Sequence, residues 1–108
     1  LAAGEVVATD SADTLADGLA VRRADATALS VLQEGLAGIV CVTDEEVQTA
    51  MADYFLCTHN LAEGAGAASL AALNQDLKNG SQWDSAGIVL SGGNVSPEVF
   101  SKVLEQCG

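Results

Sequence analysis

Ile39-Val40-Cys41-Val42-Thr43-Asp44-Glu45-Glu46 is the stretch that decides the fold. Its first four residues are a continuous apolar, largely β-branched run, short enough to be a strand buried on both faces. Thr43 followed three residues later by Glu46 is a capping box. The hydroxyl accepts from a free amide of the first helical turn, and the carboxylate reaches back to the Thr43 amide. Asp44 and Glu45 suit the positive end of the helix dipole. A buried strand that runs directly into a capped helix is the repeating unit of an α/β fold.

Working outward, the helix that begins here carries its apolar stripe on Val47, Met51, Tyr54, Phe55 and Thr58. It should end at His59-Asn60, where Asn tolerates a left-handed exit. Upstream, Asp25 caps a helix to about Leu36, with Leu29, Leu32 and Leu36 on one stripe and Gly35 and Gly38 bracketing its end. Residues 5–8 read as a short strand and residues 9–14 as a polar loop. Gly18 lies between the apolar residues Leu15, Leu19 and Val21, which marks a close backbone approach or an unusual dihedral.

Downstream, a helix from about Glu63 to Lys78 has a first half made almost entirely of Ala, Leu and Gly, so that half should be buried. Asn79-Gly80-Ser81-Gln82 is a turn, and residues 86–90 form the next strand. Ser96-Pro97-Glu98 opens a last helix in the favoured Ser cap and first-position Pro arrangement, with Val99, Phe100, Val103 and Leu104 facing inward. The expected fold is α/β: a partial three-layer segment with two or three short parallel strands and four helices, residues 1–108 forming one partial domain. So few strands make a poor sheet alone. The chain is therefore expected to pair with a copy of itself or with a further N-terminal segment.

Composition narrows the function classes. The 108 residues are 49% apolar but only 4% aromatic, and 11 glycines with many alanines imply packing by close backbone approach. Fifteen acidic against four basic residues give a net charge of −11, which excludes a nucleic-acid backbone or an anionic membrane as partner, since both are bound by clustered Lys and Arg. Cys41, Cys57 and Cys107 are odd in number and widely spaced, without the pairing of a zinc or redox site. With no apolar run of about twenty residues and no signal-like start, a cytoplasmic location is expected. The chain opens Leu1-Ala2-Ala3 without Met, which reads as a segment of something longer or a trimmed start.

Two glycine signatures carry the candidate chemistry: Glu63-Gly64-Ala65-Gly66-Ala67 and Leu90-Ser91-Gly92-Gly93-Asn94. The second follows an apolar strand, and open α/β sheets bind ligands at that end of a strand. Alone, Ser91-Gly92-Gly93-Asn94 also reads as an ordinary tight strand-to-helix turn, and Glu63 as a favourable charge at a helix start. Asp13 and Asp17 sit at helical spacing but read as cap or turn residues, and no metal site is expected. His59 lacks a Ser or Cys partner and reads as a helix-end residue, while Trp83 reads as packing or interface.

Taken in order, Thr14-Leu15-Ala16-Asp17-Gly18, Val40 to Glu46, Asn60 to Ala67 and Leu90 to Val95 resemble the C-terminal third of the threonine/serine dehydratase family. These are fold-type-II, tryptophan-synthase-β-like pyridoxal-phosphate enzymes. The resemblance implies elimination of water from a small β-hydroxy amino acid, releasing a 2-keto acid and ammonia. It implies that Ser91 hydrogen-bonds the pyridine nitrogen of the cofactor. It also implies that Gly92 and Gly93 let the backbone pass close to the ring, that Glu63 lies near the cofactor, and that Gly18 lies by the ring face. A hydroxyl does not hold that nitrogen protonated as a carboxylate does, which makes the ring a milder electron sink. The family's Schiff-base lysine, phosphate cup and divalent-cation ligands match nothing here. Lys78 and Lys102 are the two lysines, one at a helix end and one on a polar helix face. The resemblance thus predicts cofactor-binding residues without catalytic ones, and a chain that neither holds the cofactor nor turns over alone. The competing expectations are a stand-alone non-enzymatic α/β module acting through self-association or protein partners, and a small domain that binds an anion at helix N-termini.

Overall fold

In the computed structural model the described residues are 14–107, the side chains of Asp17 and Cys107 excepted. They form a short 3-10 turn, Asp17–Leu19, and four helices: α1 (Ala26–Gly35), α2 (Asp44–Thr58), α3 (Gly64–Lys78) and α4 (Pro97–Cys107). The strand expected at residues 5–8 lies outside the described residues.

Three of the four helices begin where a side-chain cap satisfies a free amide. The Asp25 carboxylate accepts from the Ala28 N–H at 2.9 Å to start α1. At α2 the capping box is complete: the Glu46 N–H donates to the Thr43 hydroxyl at 3.1 Å and the Thr43 N–H donates to the Glu46 carboxylate at 2.9 Å. Asp44, in the first turn, also accepts from the Thr14 hydroxyl at 2.5 Å and the Leu15 N–H at 3.1 Å, which fastens the preceding segment to α2. The Ser96 hydroxyl accepts from the Val99 N–H at 3.2 Å at the head of α4. The left-handed exit of α2 falls on His59 (φ 59°) rather than on Asn60, and the Asn60 side-chain amide donates to the Thr58 hydroxyl at 2.9 Å.

The core is the α2–α3 interface with α4 laid against α2. It is built from Val47, Ala50, Met51, Ala52, Ala62, Ala67, Ala71 and Val103, and Met51 and Val103 are its largest fully buried side chains. Alanine on both helices lets the axes approach closely, as expected of a chain poor in aromatics. Phe55 and Phe100 complete the α2–α4 contact edge to face, with ring centroids 5.3 Å apart. The shortest dimension, 20 Å, is that of two packed helices. Helix α1 touches none of the other helices, so Leu32 and Leu36 of its expected stripe remain exposed while Leu29 is buried.

The two strands expected within the described residues do not form. Residues 39–42 and 86–90 are extended but belong to no ladder, and Arg23 is the one bridge position among the described residues. Ile39 is 64% exposed, where burial on both faces was expected, and Val89 is 72% exposed. The cause is the lack of a neighbour. A strand is defined by hydrogen bonds to another strand, whereas these segments flank a groove of about 470 Å³ lined by Val40, Ile88, Ser69 and Leu73. Side chains of α3 supply bonds that a sheet would otherwise make. Gln75 donates to the Cys41 carbonyl at 2.9 Å, and the Ser69 hydroxyl donates to the Val89 carbonyl at 2.8 Å. Asp76 secures the turn between α3 and the second segment, accepting from the Ser81 hydroxyl at 2.9 Å and the exposed Trp83 indole at 2.6 Å. The three-layer arrangement is thus reduced to its helical part and two unpaired extended segments among the described residues.

Gln75 also donates to both oxygens of Glu46, at 3.3 and 3.2 Å, so one carboxylate joins the head of α2 to the middle of α3. The Thr43 amide first, and Gln75 second, hold the Glu46 carboxyl below its ordinary value of 4.5. A native state that binds this proton more weakly than the unfolded chain is stabilised fully above about pH 4.5, and the contribution is lost as pH falls through the lowered native value. Acid titration of stability should therefore show a decline in that window that Glu46→Gln flattens. Thr43→Ala should cost about 1 kcal/mol in urea unfolding at neutral pH.

Candidate functional site

The first turn of α3 is where distant parts of the chain meet. Glu63 is its N-cap residue, yet its side chain makes no capping hydrogen bond. Its backbone N–H instead donates to the Gly92 carbonyl at 3.0 Å, tying the helix start to the turn that follows the second extended segment. The Glu63 carboxylate folds over the same residue: a Cβ on Gly92 would lie 2.6 Å from Glu63 Oε1. Gly66 faces the turn from the next position inward, and a Cβ there would collide with the Gly92 carbonyl oxygen. Gly93 abuts the Leu61 carbonyl just as closely. The turn itself is tight, with the Val95 N–H donating to the Gly93 carbonyl at 3.0 Å.

The same helical turn receives the N-terminal part of the described chain. A Cβ on Gly64 would meet the Ala16 Cα at 2.8 Å, and one on Gly18 would meet the Ala65 Cβ at 2.9 Å. Buried Ala16 and exposed Gly18 are therefore held on the flank of α3 beside the 91–93 turn. A small cavity of about 120 Å³ opens at the junction, lined by Leu15, Glu63, Gly64, Asn94, Val95 and Ser96 among others.

Of the four residues expected to contact a cofactor, three share this junction. Glu63 and Gly92 are in direct contact and half-buried, and Gly18 lies one residue of α3 away, against Ala65. Ser91 is joined to Gly92, is exposed, and makes no hydrogen bond among the described residues. The glycines at 92 and 93 have a structural reason beyond the expected approach to a ring, since protein atoms already occupy the space of any side chain there. Sequence reasoning missed Gly66 and Ala65 as contact residues. Their signal was the small residue at every position from 64 to 67 of a helix start, which reads as burial without saying against what.

The Ser91 hydroxyl, exposed and without a hydrogen bond among the described residues, can donate to a heteroaromatic nitrogen or accept from its protonated form, which is the contact such a group needs at its nitrogen. No lysine joins the junction residues: Lys78 is exposed at the far end of α3, about 20 Å along the helix from Gly64, and Lys102 is exposed on α4. Among the described residues no cluster of His, Cys, Asp or Glu has the form of a metal site, and no helix is long and apolar enough to cross a membrane.

Comparison with known proteins follows the same line. A family model described as pyridoxal-phosphate dependent enzyme matches residues 1–92. The L-threonine ammonia-lyase of Geobacter sulfurreducens is 35% identical over 106 residues, which is 95% of this chain and 25% of that protein. The serine racemase of Dictyostelium discoideum is 33% identical over 93 residues, covering 85% of this chain and 28% of that protein. Among solved structures, a threonine deaminase of T.th. superposes with a TM-score of 0.79 at 27% identity, over 88% of this chain and 34% of that one. The structural neighbours are α/β proteins of fold type II. The chain thus spans about a quarter of the length of the curated relatives it matches.

The crowding at the junction separates two neighbouring glycines. Gly92→Ala meets the end of a flexible side chain that can swing aside, whereas Gly93→Ala meets a backbone carbonyl that cannot. Gly93→Ala should lose roughly 1–3 kcal/mol in chemical unfolding, and Gly92→Ala markedly less.

Proposed function

The chain belongs to the family of pyridoxal-phosphate-dependent enzymes, and from that premise we propose that it is part of an amino-acid lyase, contributing one wall of the cofactor pocket. The reaction is elimination of water from serine or threonine, and the remaining wall comes from an N-terminal segment corresponding to the rest of the relatives' length. The observation that carries this reading is the junction at α3, where Glu63, Gly92 and Gly18 converge beside an exposed Ser91. The names of the relatives, a threonine ammonia-lyase and a serine racemase, support the substrate class.

When bound, pyridoxal phosphate supplies the electron sink for chemistry at the amino-acid α-carbon. The residues of this chain do the orienting. The Ser91 hydroxyl would hydrogen-bond the ring nitrogen, which a hydroxyl does not keep protonated. Gly18 and Gly92 would leave the backbone there without side chains, and the Glu63 carboxylate, which lies over Gly92, would set negative charge close by. The lysine that links the cofactor and the loop that binds its phosphate belong to the other segment, so the chain alone does not turn over substrate. Exposed Ile39, Val40, Val89 and Trp83 are the apolar surface which that segment covers. The free thiols of Cys41 and Cys57 accord with a cytoplasmic setting.

Grafting the chain in place of the matching quarter of the Geobacter sulfurreducens enzyme tests the proposal. The chimera should show the visible absorbance of bound cofactor and consume threonine or serine, while the isolated chain does neither. A folded chimera that stays colourless and inactive would sink the reading.

A further inference from the structure

Gly66 and Ser91 are 25 positions apart and do not belong to one motif, yet the structure links them through a single atom. The Gly92 carbonyl oxygen receives the Glu63 N–H at 3.0 Å and lies where a Gly66 side chain would begin. The peptide joining Gly92 to Gly93 is thereby gripped from two sides by one helical turn, with the Leu61 carbonyl packed against Gly93 behind it. Ser91 immediately precedes this gripped unit, is exposed, and has no hydrogen bond of its own among the described residues. Its position is therefore inherited from its chain neighbours, Leu90, which packs against the core, on one side and the gripped Gly92 on the other.

We infer that Gly66 is a positioning residue for Ser91, setting through the Gly92 carbonyl how far the Ser91 hydroxyl stands from the first turn of α3. The adjacent Gly64 has a different duty, because it packs on Ala16 and so fixes the segment leading to Gly18. Two glycines two residues apart on one helix thus register two different segments. Adding a methyl group at Gly66 requires the carbonyl oxygen of Gly92 to retreat. Because that oxygen is backbone, the displacement passes to Ser91 instead of being absorbed by a side-chain rotation.

The part of the inference that concerns Ser91 as a cofactor contact rests on the function proposed above, and the geometric part does not. Nuclear magnetic resonance of the full chain tests the geometry. Gly66→Ala should shift the amide signals of Ser91, Gly92 and Gly93 and abolish the slow hydrogen exchange of the Glu63 amide, leaving Ala16 and Gly18 in place. Gly64→Ala should do the reverse. Unmoved Ser91–Gly93 signals in Gly66→Ala, or a wild-type Glu63 amide that exchanges freely, overturn the inference. A Gly66→Ala chain that does not fold also counts against it, since that outcome belongs to a purely structural role.

The consequence for the cofactor is read in the chimera with pyridoxal phosphate. Ser91→Ala and Gly66→Ala should each weaken cofactor binding about tenfold, the equivalent of one hydrogen bond, and shift its absorption maximum in the same direction. The double variant should be no worse than either single one, because both changes remove the same contact. Additive effects, or a spectrum altered by Ser91→Ala and untouched by Gly66→Ala, refute the coupling. A spectrum that Ser91→Ala leaves unchanged refutes the assigned role of Ser91 while the resonance shifts still judge the geometry.

Discussion

Backbone packs against backbone in this fold where side chains are missing. At the first turn of α3, Gly66 admits the Gly92 carbonyl, Gly93 admits the Leu61 carbonyl, and Gly64 admits the backbone of Ala16. A hydrogen bond from the Glu63 amide to the Gly92 carbonyl sets the register of the first of these. A helix N-terminus leaves four amides without intrahelical partners, and here one residue ahead of the helix spends its donor on a loop from the other end of the chain. That arrangement brings residues 16–18 and 91–93 to a common place, and everything proposed about a cofactor edge depends on it.

A second tie, polar rather than steric, holds the helical layer in order. Glu46 closes the capping box at the head of α2 and accepts from Gln75 of α3, while Gln75 also reaches the Cys41 carbonyl. The Glu46 carboxylate and the Gln75 amide together thus join α2, α3 and the segment before α2, beside a core that consists mostly of alanine. A thin core gives little directional information, because small apolar side chains slide on one another at low cost. Hydrogen-bonded ties at Glu46 and Asp76 and glycine contacts at α3 supply the direction that bulky side chains would supply elsewhere.

The extended segments show the limit of this self-sufficiency. Residues 39–42 and 86–90 have the composition of buried strands but are mostly exposed, with Val42 and Leu90 packed against the core and Gln75 and Ser69 tethering the segments to α3. The shape they leave is a groove floored by a helix and walled by two unpaired strands-in-waiting.

What the sequence determined by itself was everything encoded within a few residues. Thr43 with Glu46, Asp25 with Ala28, and Ser96 with Pro97 mark helix starts because a cap is a contact between residues a few positions apart, and all three are found in place. The burial of the glycine- and alanine-rich start of α3 was legible for the same reason. The exact exit of α2 was missed by one residue, because left-handed backbone at His59 or Asn60 differs by little in local energy. The four candidate contacts at Gly18, Glu63, Ser91 and Gly92 came from resemblance to a family, whereas the packing of Gly92 on Glu63 and of Gly18 on Ala65 came only from the tertiary structure. Strand pairing was likewise beyond local reading: an apolar β-branched run says that a segment suits a sheet, but a sheet exists only when a second segment supplies hydrogen bonds, and that depends on where the rest of the chain goes. The same holds for Gly66, whose missing side chain has meaning only once a carbonyl from 26 positions away occupies the space.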